Sequence, residues 1–151
     1  MKKKDWGNAV WILFHTLAYK LKTEYSNETA VLFTHINIIF NNLPCPDCLE
    51  HATNILSKVN KHAVTSSRES LIQFLCAFHN IVNKKITVPE FPKEQLHIYA
   101  TANTAKVVSH FIQIMSSNMN NDKLMMNSFR RQNYMNSFIS YINANGYKYN
   151  P

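Results

Sequence analysis

Glycine is nearly absent from this chain, because Gly7 and Gly146 are the only two among 151 residues. Tight β-hairpin turns and phosphate-binding loops depend on glycine, since a side chain obstructs the backbone conformations that they need. Helices need few glycines. The scarcity therefore argues against a hairpin-rich β architecture and favours an all-α fold, and the length suits one domain that buries its core without crosslinks.

Apolar residues recur at the three- and four-residue spacing of helices that bury one face. This spacing predicts helices over residues 5–22, 28–41, 44–59, 68–86, 93–114 and 123–144. Ser66 and Glu69 have the spacing of a capping box that would begin the fourth of these helices, after a loop at residues 60–65. The polar residues 116–122 predict a boundary between a main domain, residues 1–115, and a C-terminal helical extension, residues 116–151.

The formal charge of +7, from 16 Lys and Arg against 9 Asp and Glu, does not select a partner by itself. The basic residues are scattered, which favours a solvated surface over binding to nucleic acid. No apolar run approaches the roughly 18 residues of a membrane span, and the N-terminus lacks the apolar core of a signal peptide. We therefore expect no nucleic-acid or membrane partner and a cytoplasmic location.

Cys45 and Cys48 form a Cys-x-x-Cys pair at the predicted start of a helix. The helix dipole and the unpaired backbone N–H groups of a first turn stabilise a thiolate, the form that attacks disulfides and binds metals. Two intervening residues let the sulfurs approach bonding distance. The pair is thus either a reversible disulfide or half of a metal site.

Two further pairs place polar rings and amides one helical turn apart. His79 and Asn83 point an imidazole and a carboxamide in one direction, and these groups are costly to bury unless a ligand or another helix satisfies them. Trp11 and His15 have the same spacing and could stack on a planar ligand. From these residues alone, a core Trp11 and a satisfied interior His15 are favoured.

Three chemistries compete for the cysteine pair. A zinc site would use Cys45, Cys48, His51 and one further ligand, but the chain has no second Cys-x-x-Cys. A thioredoxin-like exchanger would need a β-strand before the motif, and both flanks are predicted to be helical. The remaining possibility is a helical protein whose disulfide passes electrons to a bound cofactor.

The order and spacing of three motifs, taken together, indicate that this chain is similar to a known protein family. The motifs are Trp6-Gly7-x-x-x-Trp11-x-x-x-His15, Leu43-Pro44-Cys45-Pro46-Asp47-Cys48-x-x-His51-Ala52 and His79-Asn80-x-Val82-Asn83-x-Lys85. Across roughly residues 6–99 the chain closely resembles the Erv/ALR family of FAD-linked sulfhydryl oxidases. The short form of the cysteine motif is most similar to that of members encoded by large cytoplasmic DNA viruses, for which the location would be the host cytoplasm or the virion rather than the mitochondrial intermembrane space.

The resemblance implies a four-helix bundle with a short fifth helix that cradles FAD, an added C-terminal helix, and pairing as a homodimer. It implies that Cys45 exchanges with thiols of a protein substrate, such as a thioredoxin-like or virion protein, that Cys48 lies beside the flavin, and that oxygen is reduced to hydrogen peroxide. The FAD contacts that it implies are Gly7, Trp11, His15, Cys48, His79, Asn80, Val82, Asn83, Lys85 and Tyr99. No metal ligand is implied.

The third cysteine departs from the family pattern. Many members carry a shuttle disulfide and a structural disulfide in addition to the active pair. Cys76 has no spare partner in this sequence, so neither can form within one subunit. We predict that Cys76 is a buried free thiol beside the helix that contacts the cofactor.

Overall fold

The computed structural model describes residues 3–117 and 125–151, and the side chains of residues 5–117 and 129–151. Its α-helices are α1 (Lys3–Lys20), α2 (Thr29–Phe40), α3 (Pro46–Ser57), α4 (Lys61–Val64), α5 (Arg68–Lys85), α6 (Thr104–Ser117) and α7 (Met125–Asn145). Short 3₁₀ helices span Thr23–Glu28, Lys93–Thr101 and Gly146–Lys148. The described residues contain no β-strand, only an isolated bridge between Leu21 and Tyr149, so the predicted all-α class is confirmed.

α1 is the central helix. It packs against α2, α5, α6 and the 3₁₀ helix Lys93–Thr101. Residues 13–18 are all buried, and six consecutive positions cover the whole circumference of a helix. The apolar spacing predicted a single buried face, but neighbours on several sides bury His15 and Thr16 as well.

The helices differ from the prediction at three places. The predicted capping box of Ser66 and Glu69 is wrong: Ser67 caps α5 by accepting the Ser70 N–H at 3.0 Å, while Glu69 pairs with Arg68. The predicted helix 93–114 is broken before Thr104, because the Asn103 side chain accepts the Lys106 N–H at 3.0 Å and begins a new helix. The predicted loop 60–65 contains the single turn of α4.

The C-terminal helix packs against α2 and α6 and contributes Met135 and Phe138 to the same core. A buried polar cluster reinforces this contact. Glu28 accepts a hydrogen bond from the Tyr141 hydroxyl at 3.2 Å and forms an ion pair with Lys148 at 2.9 Å. The Tyr149 hydroxyl in turn donates to the Tyr141 oxygen at 2.6 Å. The contact holds the end of the chain against the start of α2.

The predicted boundary at residues 115 and 116 falls within α6, which continues to Ser117. Asn118–Asp122 of the predicted linker, and the first two residues of the predicted last helix, lie outside the described residues. The division into two parts stays a prediction. None of the helices in the described ranges is both long and apolar enough to cross a membrane.

Candidate active site

A cavity of about 600 Å³ opens between α1, α3, α5 and the segment that joins α2 to α3. Its apolar wall is formed by Trp6, Gly7, Val10, Trp11, Phe40, Leu43, Ala52, Val82, Ile86 and Val88. Its polar lining comes from Asn8, Asp47, Cys48, His51, His79, Asn83 and Lys85. A cavity of this size, mostly apolar with a few convergent polar groups, is typical of a small-molecule site.

The cysteine pair begins α3 as predicted. Cys45 is the N-cap residue, Pro46 occupies the first helical position, and the Cys48 N–H donates to the Cys45 sulfur at 3.4 Å. An amide donor and the positive end of the helix dipole both favour a thiolate at Cys45. Both cysteines are half-buried, but only Cys48 lines the cavity. The pair thus links the cavity to the surface next to it.

Four aromatic and imidazole rings form a column beside the cavity. Trp11 stacks on His79, with ring centroids 4.1 Å apart and planes within 6°. The His15 Nε2 is 3.0 Å from the His79 Nδ1, and His15 stacks on Tyr99 with centroids 5.0 Å apart. Trp11 and His79 line the cavity, whereas His15 and Tyr99 lie behind them. Direct FAD contact by His15 and Tyr99 stays a prediction.

Burial makes the histidine pair neutral. Burial, together with repulsion by the neighbouring His79, lowers the pKa of His15 to about 3, and burial lowers the pKa of His79 to about 4. Two neutral imidazoles share one N–H between the facing nitrogens. The hydrogen bond occupies Nδ1 of His79, which leaves its Nε2 for a ligand.

The charged groups of the cavity are Asp47 and Lys85, with His51 near the lysine. His51 on α3 and Lys85 on α5 line the same cavity, and burial, followed by the positive charge of Lys85, lowers the pKa of His51. From the residues alone, the only role predicted for His51 is that of a zinc ligand. His51 lies four residues before Ile55 on an amphipathic helix, and this spacing does not predict that its side chain lines a cavity. Its position beside α5 results from the packing of the helices.

The two asparagines of α5 have different positions. Asn83 is 7% exposed and lines the cavity, together with the predicted contacts Val82 and Lys85. Asn80 does not line the cavity, and its amide pairs with the backbone of Phe91 through two hydrogen bonds of 2.8 and 3.0 Å. Direct FAD contact by Asn80 also stays a prediction.

Cys76 is a buried free thiol on α5, as predicted. Burial raises the pKa of this thiol, so it stays protonated at neutral pH. The amide of Asn80 is 3.8 Å from its sulfur. Cys76 is therefore suited to packing rather than to thiol exchange.

The zinc alternative is not supported. Across the described parts of the chain, no three His, Cys, Asp or Glu side chains are close enough together to hold a metal ion. His51, the proposed third ligand, lines the cavity near Lys85 instead.

Comparison with known proteins gives consistent results. The profile of the Erv1/Alr family matches residues 8–102. A protein of Oryza sativa subsp. japonica named FAD-linked sulfhydryl oxidase ERV1 is 32% identical over 98 residues, covering 64% of this chain and 50% of the relative. No solved structure shows significant similarity to the chain.

Viral relatives show the same similarity. A putative FAD-linked sulfhydryl oxidase of Invertebrate iridescent virus 3 is 34% identical, over 58% of this chain and 60% of the relative. A probable FAD-linked sulfhydryl oxidase of Acanthamoeba polyphaga mimivirus is 30% identical, over 60% of this chain and 68% of the relative. The chain spans about half the length of the rice relative and somewhat more of the viral ones.

Proposed function

The chain belongs to the Erv1/Alr family, and on that premise we propose that it is an FAD-dependent sulfhydryl oxidase that forms disulfides in protein substrates. One observation carries the proposal: Cys48 lines the same cavity as Trp11, His79 and Asn83. A sulfur that can be either thiolate or half of a disulfide therefore faces the space where a ring-shaped electron acceptor would bind.

The residues present fit FAD. Gly7 lines the cavity, and a Cβ at this position would meet no atom within 4 Å, so the space extends to the backbone of α1. Trp11, Phe40 and Leu43 would hold the flat ring system through apolar contacts. Lys85 would supply a positive charge to the phosphates.

The two cysteines divide the work of thiol exchange. A substrate thiolate attacks the Cys45 sulfur of the oxidised pair, which forms a mixed disulfide and releases Cys48 as a thiolate. A second substrate thiol attacks the mixed disulfide, which releases the oxidised substrate and leaves Cys45 as a thiolate at the helix N-cap. Cys45 and Cys48 then re-form their disulfide and give up two electrons, for which FAD, when bound beside Cys48, would be the acceptor that passes them to oxygen to give hydrogen peroxide.

The colour of the purified protein is the first test. We expect a yellow protein with an absorbance band at about 450 nm, typical of an oxidised flavin. Adding a reduced protein substrate should consume oxygen and form hydrogen peroxide in equal amounts. A colourless protein that retains no flavin absorbance after incubation with FAD and removal of the unbound flavin would contradict the proposal.

Filling the cavity at Gly7 should weaken FAD binding. Gly7→Leu places a branched side chain in the space beside α1, and an overpacked site costs about 1–3 kcal/mol, or roughly tenfold to a hundredfold in Kd. The matched control is Gly146→Leu, because a Cβ at Gly146 also meets no atom within 4 Å but lies outside the cavity lining. Titration of flavin fluorescence measures both, and equal affinities would show that FAD does not occupy this space.

The partners follow from the family and from the chemistry. We propose protein thiols as substrates. Cys45 lies outside the cavity lining, so an incoming thiolate can attack its sulfur without entering the cavity. Pairing as a homodimer is a further proposal, which sedimentation of the purified protein would test. The location in the host cytoplasm or the virion stays a prediction.

A further inference from the structure

The reduced cysteine pair has to lose protons as well as electrons before its disulfide forms again. Thiol exchange leaves Cys45 and Cys48 reduced side by side, and two negative sulfurs this close repel each other. The N-cap position and the Cys48 N–H favour the charge at Cys45. Cys48 therefore holds the remaining proton, and closing the disulfide requires a group that accepts it.

The cavity lining contains few groups that could accept this proton. Apart from the cysteine, its titratable side chains are Asp47, His51, His79 and Lys85. A lysine ammonium only donates. Asp47 directly precedes Cys48, and successive residues of a helix do not face each other. His79 is a weak base, because burial lowers its pKa to about 4, and its Nδ1 already faces another imidazole at 3.0 Å.

His51 has the position and the protonation state of an acceptor. It follows Cys48 by three residues on α3, so the two side chains are neighbours on one face of the helix, and both line the cavity. Burial, followed by the positive charge of Lys85, lowers the pKa of His51 below the ordinary value of 6.5. Its imidazole is therefore neutral at pH 7 and has a ring nitrogen that can take a proton.

We propose that His51 is the base that accepts the proton of the Cys48 thiol when the pair closes to a disulfide. The inference rests on the proposed function, since it concerns electron transfer from that pair. The Cys48 S–H bond breaks and one S–S bond forms. The proton goes to a ring nitrogen of His51, and the electron pair goes to FAD when it is bound beside Cys48. The imidazolium then gives its proton to water, because the charge of Lys85 repels it.

Alkylation of the flavin-free protein tests the acceptor without the cofactor. In Cys45→Ser the thiol to follow is Cys48, since Cys76 is buried, and peptide mapping separates the two. Iodoacetamide should modify Cys48 at pH 7 at least about tenfold faster than in Cys45→Ser/His51→Gln, because a neighbouring imidazole removes the thiol proton. Without His51 the rate should rise only near the ordinary thiol pKa of about 8.5. Equal rates at pH 7 would overturn the inference.

The pH profile of flavin reduction is the second measurement. The protein loaded with FAD is mixed with excess dithiothreitol, and the loss of flavin absorbance is followed. His51→Gln should be about a hundredfold slower than the wild type at pH 7. The difference should shrink as the pH approaches 10, because the thiol then ionises without a base. A loss of the same size at every pH would indicate a structural role and contradict the inference.

Two controls accompany His51→Gln in the alkylation experiment. Asp47→Asn removes the other acidic or basic neighbour of Cys48 on α3, and it should not slow alkylation; a tenfold loss there would assign the proton to Asp47 instead. His62→Gln changes an exposed histidine on α4 and should match its parent. The same loss in His62→Gln would show that the effect is not specific to His51.

A smaller replacement guards against misfolding. His51→Ala leaves space for a free imidazole, which should restore the alkylation rate in the folded variant. No restoration would contradict the proposed role. A protein that binds no FAD would overturn the proposed function, and this inference with it. A yellow protein in which His51→Gln alkylates as fast as its parent would overturn the inference alone.

Discussion

Cys45→Ser and Cys48→Ser should each lower the rate of thiol oxidation by at least about a thousandfold while leaving the protein yellow. Cys45 begins the exchange, and its hydroxyl replacement cannot form a mixed disulfide. Cys48 is the cysteine that lines the cavity, so without it the electrons have no path to the flavin. Oxygen consumption with a reduced protein substrate measures the loss, and the flavin absorbance shows that the cofactor is still bound.

The third cysteine provides the control. Cys76 is buried on α5 and is a free thiol outside the cavity lining. Cys76→Ala should therefore retain turnover and cost only the packing of one small side chain. Retained turnover in Cys45→Ser would remove Cys45 from its role, and loss of turnover in Cys76→Ala without loss of flavin would show that a third thiol takes part.

The free energy of unfolding of the flavin-free protein should fall steeply as the pH is lowered from 7 to 4. Burial holds the pKa of His15 at about 3 and that of His79 at about 4, below the ordinary value of 6.5. Below pH 6.5 the unfolded chain binds protons that the folded protein does not. Stability is therefore greatest above pH 6.5, and the loss at pH 4 is on the order of 3 kcal/mol for each histidine.

Denaturant unfolding at a series of pH values measures this dependence. His15→Gln keeps a polar partner for His79 but cannot be protonated, so the slope against pH should fall by about one proton between pH 6 and 5. His62→Gln is the matched control, because His62 is an exposed histidine on α4. His35 and His51 also have lowered pKa values and contribute with the same sign in every variant. Equal slopes in His15→Gln and the wild type would contradict the prediction.

Much of the fold follows from local patterns. The spacing of apolar residues predicted α1, α2, α3 and α5 to within a few residues, since this spacing alone decides whether a helix can bury a face. The errors occur where several residues offer similar local interactions. Ser66 and Ser67 are both acceptable caps, and Asn103 competes as a cap within an otherwise helical pattern. Tertiary packing selects between such alternatives.

In the candidate site, too, local spacing predicts some features and tertiary packing decides the others. The helical spacing of Trp11 with His15, and of His79 with Asn83, indicated that these pairs act together. It did not show that His15 would lie behind His79, that Asn80 would bond to Phe91, or that Val88 would return to the cavity wall. Val88 reaches the wall because Thr87 adopts a φ of 59° and the Val88 N–H bonds to the Asn83 carbonyl at 2.9 Å.

The placement of Cys45 and Cys48 at the start of a helix follows from local sequence, because the two prolines, the cysteine spacing and the helix dipole all act within a few residues. Packing between helices places Cys48 and not Cys45 in the cavity lining. The same packing brings His79 and Asn83 to the cavity, but not His15 or Asn80. Those outcomes depend on how separate helices rotate and pack against one another, and contacts between residues as distant as His15 and His79 have no signature in local spacing.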